Sequence, residues 1–281
     1  MNPARLLSLL LALFPVSTGA AALETVDDTG RTVRLAGTAE RIVTLSPHAT
    51  ELVVAAGASA RLVGIIDAGA TPDGLAGLPR VGAAGAIDRE AVLRLRPDLV
   101  IAWQSGNRAA DIAWIEAMGI AVYRSEPRRL ARIAAAIDAI GRLSGTPDPA
   151  RRAAARFEQQ VARGCRDMPQ RPVYVEVWDR PTLSVGGRHW LNDVLAAAGL
   201  YNVFADVDRG VFPVQTEAVA ANAAVLRISL RRGFDGSRAD RLADLLARPG
   251  PQLGEAIGLL CEQRRITRAS DHRTLPTPPR P

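Results

Sequence analysis

The cleanest hydrophobic pattern in the chain is Pro149–Asp167, PARRAAARFEQQVARGCRD. Ala150, Ala154, Phe157, Val161 and Cys165 recur at steps of four, three, four and four, an apolar stripe down one helical face. Arg151, Arg152, Gln159 and Arg163 fall largely off that stripe, as a half-exposed helix requires. Asp148 can cap the free N–H groups and Pro149 suits the first helical position. Nineteen residues at about 1.5 Å each give a rod of roughly 28 Å, about one small domain across. The competing reading is an ordinary helix packed inside one domain.

The flanks favour a rod between two lobes. Residues 23–36 alternate apolar and polar around Asp28-Thr29-Gly30, which predicts a hairpin. Arg41–Leu45 reads as a buried strand; Ser46 and Pro47 open a helix through Ala56 that Gly57 ends. Strands at Leu62–Ile66, Leu99–Trp103 and Ile120–Tyr123 alternate with helices at Asp88–Leu95, Arg108–Met118 and Arg129–Leu143. That alternation predicts a mainly parallel sheet covered by helices on both faces, over residues 22–146. Beyond a connecting helix at 147–167 the pattern resumes over 168–262. Pro172–Trp178 is a strand, Pro181–Val185 a short extension and Arg188–Ala198 a helix ended by Gly199. Glu217-Ala218-Val219 then opens a helix leading to Ala224–Leu226, as Glu90-Ala91-Val92 opens one leading to Leu99–Ile101. Two α/β lobes of similar plan leave a cleft between them, the usual home of a ligand.

The first residues read differently. Arg5, the apolar run Leu6–Val16 and the small residues Ser17–Ala22 have the three-part pattern of a secretory signal peptide. The run is too short to span a bilayer, so residues 1–21 are expected to be removed and the protein exported to the periplasm. The net charge of +6 is carried by arginine alone, since the chain has no lysine. Aromatics are 4% of the residues and no basic block interleaves with them, which argues against nucleic acid. Export also bears on Cys165 and Cys261, the two cysteines of the chain. In an oxidising compartment an isolated pair most simply forms one disulfide; two buried thiols are the alternative.

Candidate chemistry is sparse. The three histidines, His48, His189 and His272, show no metal-ligand spacing, so no metal site or catalytic set is expected. Ser46 and His48 are close in sequence, which leaves an exported hydrolase as a minor alternative, although Ser46 is better explained as a helix cap. No phosphate-binding loop, Gly-x-Ser-x-Gly elbow or Gly-x-Gly-x-x-Gly is present. The balance favours binding over turnover and no enzyme is expected.

Several stretches carry a resemblance: RIVTLSPHATELVVAAGASARLVGI, VGAAGAIDREAVLRLRPDLVIAWQSGN, the rod, GLYNVFAD with VFPVQTEAV, and LLARPGPQL with LLC. Together, over residues 24–225 and 244–262, they resemble the cobalamin-binding members of a family of periplasmic substrate-binding proteins of ABC importers. That family also includes ferric-siderophore and haem carriers. The resemblance implies two Rossmann-like lobes with mainly parallel sheets, joined by a single long helix, and a ligand cleft between them. It implies capture of cobalamin or a related corrinoid as cargo rather than cofactor, with ferric siderophore or haem as the alternative cargo. Delivery would be to an inner-membrane permease dimer, and the carrier would be a monomer. Glu90 and Glu217 match the lobe-tip glutamates that dock on permease arginines, one carboxylate per lobe. Trp103 matches an aromatic of the corrin site and Phe212 a tryptophan at the second lobe's rim; Trp178, at a strand end, is a third candidate ligand contact. Trp114 and Trp190 read as core. Cys165 and Cys261 match the family's disulfide.

Three departures stand out. The first-lobe loops Asp67–Pro72 and Gly82–Gly85 hold small residues where the cobalamin binders carry a tyrosine and a tryptophan. Residues 225–244 are short and arginine-rich where the family has further helix and strand, so the second lobe is expected to be cut down, by deletion or a local frame change. Residues 263–281 lack apolar periodicity and read as a disordered tail. Tyr123, Tyr174 and Tyr201 read as core or strand-end residues, which disfavours a haem ligand among them.

Overall fold

The apolar runs of the first half assemble into the sheet they predict. In the computed structural model, which describes residues 22–67, 71–72, 74–83, 85–221, 225–231 and 237–273, an antiparallel hairpin of β1 (Leu23–Val26) and β2 (Thr32–Leu35) precedes it. The Asp27 carboxylate closes the hairpin turn, accepting from the Thr29 amide and hydroxyl and the Arg31 amide at 2.7–3.0 Å. The sheet comprises β3 (Ile42–Thr44), β4 (Leu62–Asp67), β5 (Arg80–Ala83), β6 (Ala86–Ile87), β7 (Leu99–Trp103) and β8 (Ala121–Ser125), in the order β6-β5-β4-β3-β7-β8. All neighbours are parallel except β5 and β6. Successive residues of the central strands point to opposite faces. Ile42, Leu99 and Ile101 join α1 (Pro47–Ala55) and α4 (Leu130–Leu143) in one core. Val43, Val100 and Ala102 join α2 (Arg89–Arg94) and α3 (Ala109–Ala117) in another. Burial on both faces is why these strands read as unbroken apolar runs.

The connecting helix, α5, runs Pro147–Ala162, starting two residues before the position expected from Pro149 and stopping five residues short of Asp167. Both prolines fit because neither first-turn N–H would have an intrahelical acceptor. The helix ends early because Gly164 must pass the end of the helix at Leu191–Ala197 closely: a Cβ there would lie 2.2 Å from the Ala197 carbonyl oxygen. The predicted stripe holds. Ala150, Phe157 and Cys165 are buried, and Ala154 and Val161 pack on the core. At its start α5 lies so near α4 that a Cβ on Gly141 would sit 2.1 Å from that of Ala150.

The second lobe holds β9 (Arg171–Asp179), β10 (Thr182–Val185), α6 (Leu191–Ala197), β11 (Leu200–Asn202), β12 (Val211–Pro213), α7 (Thr216–Ala221), β13 (Leu226–Ser229), α8 (Arg238–Leu245) and α9 (Leu253–Arg273). Its sheet is mixed rather than mainly parallel. β9 pairs parallel with β11 and β13, but antiparallel with β10, which pairs antiparallel with β12. The short link Arg180-Pro181 can join only antiparallel strands; a parallel return needs a crossover of a dozen residues or more. The arginine-rich stretch 225–244 folds as β13 and α8, apart from residues 232–236, which lie outside the described ones.

The expected disordered tail is also corrected: α9 continues to Arg273, while residues 274–281 lie outside the described ones. Arg264 is buried and its guanidinium donates to the carbonyls of Ala198 at 2.7 Å, Gly199 at 2.9 Å and Pro169 at 2.5 Å. It thereby closes the end of α6 with a polar side chain that apolar periodicity does not register.

Two further contacts link the lobes. Asp193 of α6 accepts from the Leu130 amide at 3.1 Å and from Arg129 at 2.8 Å, capping α4 from the opposite lobe. Glu51 of α1 pairs with Arg248 at 2.8 Å. Cys165 and Cys261 form the disulfide, 96 residues apart in sequence with Cα atoms 5.6 Å apart. Closing a loop of that size is worth about 4–5 kcal/mol in the chain-entropy model. Replacing both cysteines by serine is therefore expected to lower the melting temperature by roughly 10 °C, read by calorimetry without reductant. A shift under ~2 °C would reject that role.

Candidate functional site

In an open parallel sheet, ligands gather beyond the carboxyl ends of the strands. Here β7 and β8 end at Trp103 and Ser125, and the loops that follow them face the second lobe across a cleft of about 470 Å³. From the first lobe it is lined by Trp103, Ser105 and Glu126–Arg128. From the second come Arg188, His189 and Trp190, with an apolar margin that includes Val177, Val211, Leu230 and Leu246.

Trp103 is fixed from three sides. Its amide donates to Asn107 Oδ1 at 2.7 Å, and Asn107 Nδ2 donates to the Leu45 carbonyl at 2.9 Å. Its ring lies against Gly106, where a Cβ would stand 1.9 Å from ring carbon. The His48 imidazole meets the same ring edge-on at 5.3 Å.

His48 belongs to a buried chain of polar groups whose donors and acceptors can be assigned in sequence. Ser46 Oγ accepts the Ala49 amide as the helix cap and donates to His48 Nδ1 at 3.1 Å. His48 Nε2 then donates to Ser125 Oγ at 3.2 Å, and Ser125 donates to Asp28 at 3.4 Å. Asp28 also accepts the Glu126 amide at 2.8 Å and lies 3.5 Å from Arg132. Burial, and then the Arg248 charge, push the His48 pKa down to about 3. Ser46 and His48 are both almost fully enclosed, so no substrate reaches them. Their proximity serves to cap α1 and brace Trp103, and the hydrolase reading loses its nucleophile.

In the second lobe, Gly186 and Gly187 set the turn that carries Arg188-His189-Trp190. A Cβ at either would come within 2.5 Å of the Val207 or Ala205 carbonyl oxygen, and both amides donate into the 205–210 strand-end loop. Arg188 forms a forked pair with Asp208. The His189 ring lies 4.8 Å from that of Trp190, and its Nδ1 accepts the Leu191 amide at 3.2 Å. Burial lowers its pKa to about 4, so at neutral pH the imidazole is uncharged and its proton sits on Nε2. His189 thus offers the cleft an N–H donor and no lone pair.

Of the residues expected from sequence, Trp103 lines the cleft. Trp178 and Phe212 do not; their neighbours Val177 and Val211 do, and alternation along a strand turns adjacent side chains to opposite faces. Trp178 is 53% exposed and donates to the Arg180 carbonyl at 3.0 Å. Phe212 packs edge-on against Phe204 at 5.6 Å, which packs in turn on Tyr174. Trp190, expected in the core, lines the cleft, while Trp114 lies under the Arg89 guanidinium at 5.0 Å. Glu90 and Glu217 stand in the first turns of α2 and α7, one exposed carboxylate per lobe. Of the small-residue loops of the first lobe, residues 68–70 and 84 lie outside the described ones. Arg128, Arg188 and His189 were not anticipated. The Gly-Gly before Arg188 and the position of 126–128 just beyond a parallel strand are the signals that locate them.

Residues 42–257 match the model of the periplasmic binding protein family, and the chain belongs to that family. It is 29% identical over 249 residues to a vitamin B12-binding protein of Vibrio cholerae, covering 81% of this chain and 90% of that one. A vitamin B12-binding protein of Yersinia pestis is 33% identical over 172 residues, covering 60% and 61%. Among solved structures, the periplasmic vitamin B12-binding protein of Vibrio cholerae matches with a TM-score of 0.68 at 26% identity, over 82% of this chain and 98% of that one. A periplasmic haem-binding protein of Pseudomonas aeruginosa matches with a TM-score of 0.67 at 25% identity, over 80% and 92%.

The buried histidine makes stability depend on pH. His48 protonates near 6.5 when unfolded but only near 3 when folded, so the unfolded chain binds the extra proton between those values. Stability falls as pH drops through that window. Asp28 and Glu51, whose pKa values burial raises, act in the opposite sense. A His48→Gln variant is therefore expected to lose roughly 2–3 kcal/mol less than the parent between pH 7 and 4.5, in urea unfolding. Equal losses would reject the assignment.

Proposed function

We propose that the chain is a periplasmic carrier that captures cobalamin or a related corrinoid between its lobes and passes it to an inner-membrane ABC permease. The observation that carries this reading is a tryptophan-walled cleft whose described lining residues include no tyrosine, cysteine or methionine and one imidazole whose lone pair is already used. Trp103 and Trp190 give flat apolar surface from opposite lobes, suited to a macrocycle. Among the described lining residues His189 is the one imidazole, and its Nδ1 lone pair is occupied by the Leu191 amide, leaving the proton on Nε2. A corrinoid with both axial positions filled needs no ligand from the protein, whereas haem normally takes one. The B12-binding relatives support the same cargo. A haem or ferric-siderophore cargo is the second reading, favoured by the fold shared with the Pseudomonas haem binder. Glu90 and Glu217 are the docking carboxylates, exposed and one to a lobe. The leader at 1–21 lies outside the described residues and belongs to this proposal.

Calorimetric titration of the protein from Ala22 onward with cyanocobalamin, haem and a ferric siderophore tests the cargo. Saturable binding of cyanocobalamin is expected, weakened about tenfold or more in Trp103→Ala. Failure to bind any corrinoid would overturn the reading. The double variant Glu90→Arg, Glu217→Arg is expected to keep that affinity while abolishing uptake by cells that depend on this carrier; unimpaired uptake would remove the docking role.

A further inference from the structure

The polar groups of the cleft are biased toward donors. Arg128 enters from the first lobe, and Arg188 and His189 from the second. Glu126 is spoken for: one of its oxygens accepts the Ser105 amide at 3.0 Å and the other lies 3.5 Å from Arg128. Asp208, which steadies Arg188, is outside the lining. The lining therefore holds two guanidinium groups against one carboxylate, with the His189 N–H beside them and uncharged at neutral pH. The carboxylates hold the guanidinium planes without using all five N–H donors of either arginine. Such a set suits a ligand that presents an oxyanion, and planar guanidinium forks match carboxylate and phosphate geometry.

We propose that Arg128, Arg188 and His189 form an anion-reading subsite of the cleft that engages a negatively charged substituent on the ligand's periphery. This rests on the corrinoid reading above. In a corrinoid the anion is either the phosphodiester of the nucleotide loop or a ring carboxylate left unamidated. The subsite is assigned to the phosphodiester, because fully amidated cobalamin carries no other anion on its periphery. Reading it requires one arginine from each lobe, so the subsite exists only while the lobes face one another.

The test compares cyanocobalamin, dicyanocobinamide (amidated, without the nucleotide loop) and cobyrinic acid (ring carboxylates, no loop), titrated calorimetrically into the parent protein and Arg128→Gln, Arg188→Gln and His189→Asn. In His189→Asn the new side-chain oxygen can still accept the Leu191 amide, so the start of α6 keeps that bond while the imidazole N–H is lost. Unchanged melting temperatures establish that each variant is folded. The parent is expected to bind cyanocobalamin at least tenfold more tightly than dicyanocobinamide, with each arginine variant erasing roughly tenfold of that preference. His189→Asn should narrow it further, and added salt should weaken cyanocobalamin but not dicyanocobinamide. Tightest binding of cobyrinic acid with the same arginine dependence would support the anion subsite and overturn its assignment to the phosphodiester. Equal affinity for cyanocobalamin and dicyanocobinamide, unchanged in the variants, would overturn the subsite and leave the corrinoid reading standing. Binding of no corrinoid by the parent would overturn both.

Discussion

Everything in this molecule depends on α5 being fixed at both ends. At its start, Gly141 lets α4 and α5 approach until the missing Cβ would overlap Ala150, and a Cβ on Gly57 of the loop after α1 would crowd Pro149 at 2.8 Å. Past its end, Gly164 passes under Ala197 and Cys165 is bonded to α9. A helix resists bending because a kink breaks its backbone hydrogen bonds, and α5 has no interior proline to start one. The Asp193 cap on α4 and the Glu51–Arg248 pair then tie the lobes together beside the rod. The separation of the cleft walls is thus set by packing and by one covalent bond.

That rigidity explains why the same residue type does different work on the two sides of the cleft. His48 is sealed in the first lobe with both ring nitrogens satisfied, so it transmits shape: it orders the Ser46–Ser125–Asp28 chain and buttresses Trp103. His189 has its Nδ1 satisfied by the Leu191 amide and lines the cleft. Burial depresses both pKa values, which keeps both rings neutral, and the donor facing each Nδ1 then leaves the proton on Nε2. A fixed tautomer is a fixed recognition element.

The elements with strong periodicity were legible before the structure. The stripe of α5, the alternation of the first lobe, the hairpin turn at Asp28–Gly30 and the capping by Ser46 follow from local rules that the tertiary fold obeys. What escaped was parity and long-range polarity. Trp178 and Phe212 lie in strands that border the cleft, but register decides which of two adjacent residues faces it, and no local signal fixes register. Trp190 sits on an amphipathic helix start that looks like core until the opposite lobe is placed. Arg264 resembles one more tail arginine, yet it is buried because three carbonyls from two distant segments converge on it.

Arg264 also shows what the lysine-free composition does physically. A guanidinium carries five N–H donors in a planar fork, whereas an ammonium is a compact, strongly hydrated charge on a flexible stem. Arg264 spreads its donors over three carbonyls, Arg248 bridges Glu51 and Asp244, and Arg124 reaches both oxygens of Glu116 and the Gln104 amide. Each arginine joins separate elements through several directional bonds, so charge at these sites fixes geometry. Arg128 and Arg188 carry the same chemistry to the lining of the cleft, where each is paired with a carboxylate that does not use all of its donors. A composition with arginine and no lysine therefore has a structural consequence: the cleft presents oriented forks rather than mobile point charges, and discrimination among ligands shifts from net charge toward the shape of the anion.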